Sequence, residues 1–346
     1  MKHNPLGPVC LILGVLSAVV AAYDLSWFYR YSNGFISAIN GHMIKVIFFS
    51  ACLALSNGMM AMGVSNSTKL LYEDALTISR CMWVYHYILM LLAFFDIRGH
   101  GGRTEVMTAC GKALDQAKIG PQKIPPPFVP FHGFKCKKEP NTALVFHCMR
   151  LVEAQIVGMF FIVLVKSTLQ FQGLLFEDES ASCPHEGQAG MMLGFVQLFF
   201  VICGLSGIIP LVGHLTKLVL PSRQPIVSLR NKMYIFILPW SSAVQTVILF
   251  GMILGNIIGE CSAKHADQVT LAVEMLIFQI VSHRAFVPMF TWGPHKPPPP
   301  FLANGIPDDF QFIVAPDKMA AVYGGAADAK VAQGGAETEL PVAAEA

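Results

Sequence analysis

The sequence predicts an all-α polytopic membrane protein: a bundle of seven transmembrane helices with the N-terminus outside and the C-terminus cytoplasmic. Three observations carry that expectation. Of 346 residues, 54% are hydrophobic and only 13% are charged, where a soluble globular chain carries about 25% charged residues. Mean hydropathy is +0.53, and the apolar residues fall in long uninterrupted runs of the length a bilayer crossing needs, about 20 residues. Lys and Arg collect in alternate connections between those runs. Together these exclude a typical soluble enzyme, a disordered chain and a basic nucleic-acid binder.

Four runs are uncharged: residues 6–23, 46–66, 189–213 and 233–258. The first has Lys2 before it and Ala21-Ala22 near its end, like a leader. Its apolar core exceeds the usual 7–15 residues of a signal sequence, so it reads as the first span. Three further runs are interrupted by charge but too long and too apolar for loops. Residues 70–95 carry Glu73, Asp74 and Arg80; residues 143–174 carry Arg150, Glu153 and Lys166; residues 267–290 carry Glu274, His283 and Arg284. These read as spans lining an interior, and together they make residues 1–295 one seven-helix domain.

Orientation follows from the loops. Eight Lys and Arg lie in the long loop 96–141, four in the fifth–sixth connection and two in the first, Arg30 and Lys45. The other side has only Lys2, Lys69 and Lys264, and its fourth–fifth loop is acidic, with Glu177, Asp178, Glu179 and Glu186. Basic loops face the cytoplasm. On the expected outer side lie the sequon Asn66-Ser67-Thr68, a glycosylation acceptor close to the membrane, and Cys183 and Cys261, where an oxidising compartment permits a disulfide.

The cytoplasmic loop begins with Gly99-His100-Gly101-Gly102-Arg103, which reads as a turn at a helix end because no phosphate-binding glycine motif is complete. A helix-compatible stretch, Thr104 to Ala117, follows. Lys135-Cys136-Lys137-Lys138 is a basic juxtamembrane cluster suited to anionic membrane lipids, with Cys136 a candidate for palmitoylation. Residues 296–346 open on Lys296 and four prolines, which cannot continue a helix. They end in an Ala- and Gly-rich tail too poor in large apolar residues to fold.

A charge in the hydrocarbon is costly, so each intramembrane ionisable residue is a candidate functional site with a partner expected. Arg150 and Glu153 share a helix face and can neutralise each other. Lys166 has no partner at helical spacing in its own span, and Glu274 is placed to pair with Lys166 or Arg80. His283 and Arg284 stand near the inner end of the last span. His86, His147, His214 and His283 lie alone in four spans and read as packed, hydrogen-bonded side chains. Neither H-E-x-x-H nor C-x-x-C nor a G-x-S-x-G nucleophile motif occurs, so no metal or cofactor is expected and nothing supports an enzyme.

Several of these segments resemble the family of the organic solute transporter alpha-subunit and transmembrane protein 184. Tyr87-Ile88-Leu89-Met90-Leu91-Leu92, then Asp96 and Gly101-Gly102, is similar to the family's apolar run, acid and Gly-Gly. Val163-Leu164-Val165-Lys166-Ser167-Thr168-Leu169 is similar to its lone intramembrane lysine segment. Glu274-Met275, then His283, Ala285 and Phe286, resembles the E-M…H-x-A-F signature of the transmembrane protein 184 branch. The likeness covers residues 40 to 290 and departs from the transporter branch in one respect: the third–fourth loop has Cys110 and Cys136 where that branch has a dense cysteine cluster.

The resemblance implies a facilitative transporter of amphipathic organic anions, such as bile acids or steroid sulfates. It works beside a small single-span beta subunit in the cell membrane, with homo- or hetero-oligomers open. It carries Lys166 and Glu274 into the substrate-binding set; Arg80 and His283 join them from their intramembrane position. A seven-helix receptor or signalling protein is the alternative, weakened because neither a D-R-Y-like end to the third span nor N-P-x-x-Y in the seventh is present.

Overall fold

The computed structural model describes residues 5–31, 37–63, 66–95, 102–117, 141–174, 188–218, 248, 251–252, 257 and 259–290. Among these are seven α-helices: α1 Gly7–Tyr31, α2 Ser37–Ala61, α3 Asn66–Leu92, α4 Arg103–Gln116, α5 Asn141–Phe171, α6 Gln188–Leu218 and α7 Glu260–Phe290, with a 3-10 turn at Ala93–Phe95. Five of them, α1, α2, α3, α5 and α6, are long and apolar enough to cross a membrane. α7 has the length, at 31 residues, but carries Glu260, Lys264, Asp267, Glu274 and Arg284. The expected sixth span, 233–258, and the Pro-rich tail lie outside the described residues apart from four positions in the former.

Close approach of small residues sets the helix pairs. A Cβ added at Gly14 would stand 2.6 Å from the Ala54 carbonyl oxygen, and Gly7 meets Ala61 in the same way. The numbers fall on α1 as they rise on α2, so the two are antiparallel, and only glycine lets the backbones come this near. On the other side of the molecule Gly158 faces Phe200, Gly204 faces Gln155 and Gly207 faces the Cys148 carbonyl, pairing α5 antiparallel to α6. α3 joins the two halves: it packs against α2 and, through Cys81 with Met159 and Ile162, against α5. α7 packs on α1 and α2.

The core runs along α2 and α3, where Met43, Leu53, Trp83 and Tyr87 are sealed with Phe28 of α1. The outward faces are apolar too: Val157, Phe161 and Leu164 of α5 and Phe195 and Phe199 of α6 are exposed. An apolar surface of this kind needs lipid around it. The arrangement is a helical membrane bundle.

Helix bounds differ from the expected spans for a physical reason. α1 continues past residue 23 because Asp24 is buried and bonded. α2 begins at Ser37 and ends at Ala61, not 46–66, so Lys45 lies within it and is exposed, its stem free to reach out from the helix. α3 begins at Asn66, so the sequon opens a helix instead of lying in a loop. A charge does not mark a span boundary where the bundle receives it, as for Asp24, or where a long stem carries it outward, as for Lys45.

α4 is the helix expected at 104–117. Gly102 precedes it in extended conformation, and its N–H donates to Glu105 Oε2 at 3.0 Å, satisfying a donor the helix start leaves open. α4 lies against the start of α5: Gly111 sits on Thr142, and Asn141 Nδ2 donates to Asp115 Oδ1 at 2.7 Å. Arg103 forms an ion pair with Glu153. That corrects the expected Arg150–Glu153 pair, since Arg150 points outward and is exposed. Two residues three apart share a face, but a neighbouring helix offered Glu153 better geometry.

Candidate functional site

α7 is tied to α1 and α2 by polar side chains along its length. Near its start, Asn57 Nδ2 of α2 donates to the Gln268 carbonyl at 2.8 Å. Further along, Ser50 Oγ donates to Gln279 Oε1 at 2.9 Å. Near its end, His283 Nδ1 lies 2.5 Å from Asp24 Oδ1 of α1. Ser50, Gln279 and Asp24 are all nearly inaccessible. Inside a low-dielectric bundle such groups cost free energy unless they are bonded, so this polar seam specifies how α7 seats.

The second polar locus lies between α3 and α7. Arg80, fourteen residues into α3, interacts electrostatically with Asp267 and Glu274 of α7. Its Nε is buried and makes no hydrogen bond. Three residues on, Trp83 is fully buried and meets Phe278 of α7 edge to face, ring centroids 4.8 Å apart. A cation, two carboxylates and an aromatic pair thus lie along the contact between α3 and α7.

Lys166 is elsewhere. It lies five residues from the end of α5 and interacts with Asp74 of α3, which also accepts from Ser167 Oγ at 3.0 Å. Asp74 and Arg80 are six residues apart on α3, about 600° of rotation, so they stand on faces about 120° apart. The four expected substrate-binding residues therefore do not form one cluster. Arg80 and Glu274 come together, His283 is in the α1–α7 seam, and Lys166 is held at the α3–α5 contact.

Sequence reasoning names Asp74 within the third span but gives it no partner, and it does not single out Asp24 or Asp267, although each acid stands beside a base on another helix. A second imidazole was missed as well: His86 of α3 has His42 of α2 beside it, Nδ1 to Nδ1 3.3 Å, with Phe49 stacked on the His86 ring.

In α4, Cys110 is fully buried, and burial beside Cys148 pushes its thiol well above the usual range, which leaves it unreactive to acylation. Cys136 and Cys183 lie outside the described residues, as do the side chains of Asn66 and Cys261. Among the described residues no group of three or more His, Cys, Asp and Glu is placed to hold a metal. Compared with known proteins, the chain matches no family profile, no curated sequence and no solved structure.

Proposed function

We propose that this protein is a facilitative transporter of amphipathic organic anions, bile acids or steroid sulfates being the substrate class, working in the cell membrane. The observation that carries the reading is Arg80: a guanidinium set among apolar helices, with one buried N–H that no acceptor reaches. A buried donor without a partner costs about 1–3 kcal/mol, and an anionic head supplies the missing acceptor. The aromatic pair Trp83 and Phe278 beside it offers apolar surface to the body of such a substrate. Glu274 and Asp267 also interact with Arg80; with one of them protonated the three groups are neutral together, so that an anion binds without being trapped, as a carrier requires.

Seven spans with the α4 end in the cytoplasm complete the reading. α1, α3, α6 and α7 run one way and α2 and α5 the other, and α6 and α7 having the same direction is what one further crossing between them would produce. The α4 end bears Arg30, Lys45 and Arg103, in keeping with a cytoplasmic face. A small single-span beta subunit is the proposed partner, on the strength of the family resemblance.

The test is uptake and efflux of a labelled steroid sulfate in cells expressing this chain, with and without a candidate single-span partner. Saturable, sodium-independent flux in both directions is expected. Absence of flux from cells with verified surface protein, in both arms, contradicts the proposal.

A further inference from the structure

We propose that the Arg80 locus takes zwitterionic ligands, molecules carrying an ammonium a few bonds from their anionic group, and that the acids of α7 select them over plain anions. The proposal rests on the transport reading, whose anion site it refines.

The order of the groups follows from the direction of the helices. Asn57 meets Gln268 and Ser50 meets Gln279, so α7 runs opposite to α2. α3 packs against α2 after a short connection, from Ala61 to Asn66, and runs opposite to it as well. α3 and α7 therefore run the same way. On α7, Asp267, Glu274 and Phe278 share a face, since seven residues turn the helix by about 700° and four by about 400°. Along the axis Glu274 stands about 6 Å from Phe278, and Asp267 lies about 10 Å farther toward the helix start.

On α3, Trp83 meets Phe278, and Arg80 is three residues nearer the helix start, beside Glu274. A helical side chain leans toward the N-terminus of its helix, which carries the guanidinium on toward Asp267. In keeping with that lean, Asp267 is the stronger of its two acidic partners and Glu274 the weaker. Arg80 is in turn the charged group that acts on Asp267. The row thus reads aromatic pair, Glu274, guanidinium, Asp267. Trp83 and Phe278 are sealed and bound it at one end, whereas the three charged residues are half-buried, so each keeps a face a ligand can reach.

Charge decides what fits such a row. Arg80 brings one positive charge, and Asp267 and Glu274 bring two negative ones. Arg80 Nε is buried and calls for an acceptor, so the anionic group of a ligand belongs there. That places the rest of its head next to a carboxylate on either side. A plain anion adds a third negative charge between two acids, a cost that grows as water is excluded, and it binds when one acid is protonated. A zwitterion brings the missing cation with it: its ammonium donates to Glu274 or Asp267 while its anionic oxygens accept from Arg80. Attraction at Arg80 and repulsion at the two acids together make the selection, as specificity generally requires.

The same chemistry occurs in free amino acids and in zwitterionic lipids, and matched pairs separate the two sources. The experiment is equilibrium binding to the purified full chain in lipid nanodiscs. The labelled probes are phenylalanine beside 3-phenylpropionate, lysophosphatidylethanolamine beside lysophosphatidylethanol, and a steroid sulfate. Each pair differs in the ammonium alone. The expected result is that in at least one pair, which names the source, the ammonium-bearing member binds about tenfold or more tightly. That preference should collapse in Glu274→Gln or in Asp267→Asn, whichever acid receives the ammonium, and the same variant should bind the steroid sulfate more tightly. Equal binding within both pairs while the steroid sulfate still binds overturns the proposal and leaves the anion site standing. A preference that survives in both monodisperse variants, or steroid sulfate binding that is weakened in both, also overturns it. No binding of any probe to the folded wild type removes the transport reading as well.

Discussion

Arg80 and Lys166 are the two intramembrane cations with the most to say, and their surroundings assign them different work. Arg80 has two acids nearby but still a buried N–H without an acceptor. Lys166 has Asp74, whose other partner is Ser167. On the proposed transport reading, replacing Arg80 by Gln removes a charged contact to substrate, of order 1.5–3 kcal/mol, and should lower flux at subsaturating substrate about tenfold or more at unchanged surface expression. Lys166→Met should act on stability instead: a double-mutant cycle with Asp74→Asn, followed by thermal melting in detergent, should give a coupling of about 1 kcal/mol. The sequence told which residues were costly to bury, because charge in an apolar run is visible in one dimension. It did not tell who faces whom. Asp24 lies 259 positions from His283 and Asp74 lies 93 from Ser167, and no periodicity within one helix reports a contact made between two.

Helix pairing rests on glycine at the seams. Gly14→Leu should force α1 from α2, because its Cβ alone would meet the Ala54 carbonyl at 2.6 Å; overpacking of this kind costs about 1–3 kcal/mol, read as a lower melting temperature. α4 gives a second expectation. Its docking through Gly111 on Thr142 buries Cys110, so alkylation mapped by mass spectrometry should find Cys110 unmodified in the native protein. Gly111→Val should undock α4 and make Cys110 modifiable while the spans remain folded. α4 itself was legible, since its polar and apolar residues alternate with helical period outside any span. The bounds of α1 and α2 were not, because the first charge met was taken for the membrane surface although Asp24 lies within α1 and Lys45 within α2.

The whole molecule divides into a polar seam around α7 and an apolar contact between α5 and α6, joined by α3. In that division α7 is the element least suited to lipid and most dependent on its neighbours: its imidazole meets α1, its amide α2 and two of its acids α3. Glu274 and His283 lead to the expectation of an interior span, whereas their partners on α1, α2 and α3 emerged only in three dimensions. Orientation can be checked by single cysteines: Lys112→Cys should react with an impermeant reagent only after the membrane is opened, and Lys264→Cys from outside in intact cells. The claim everything else leads to is that this bundle moves an organic anion past Arg80. The most direct measurement is counterflow of labelled steroid sulfate in vesicles holding the purified chain, with and without the single-span partner, wild type beside Arg80→Gln. Saturable exchange that the variant loses is the expected result; exchange equal to that of empty vesicles in both arms, or equal in wild type and variant, would contradict it.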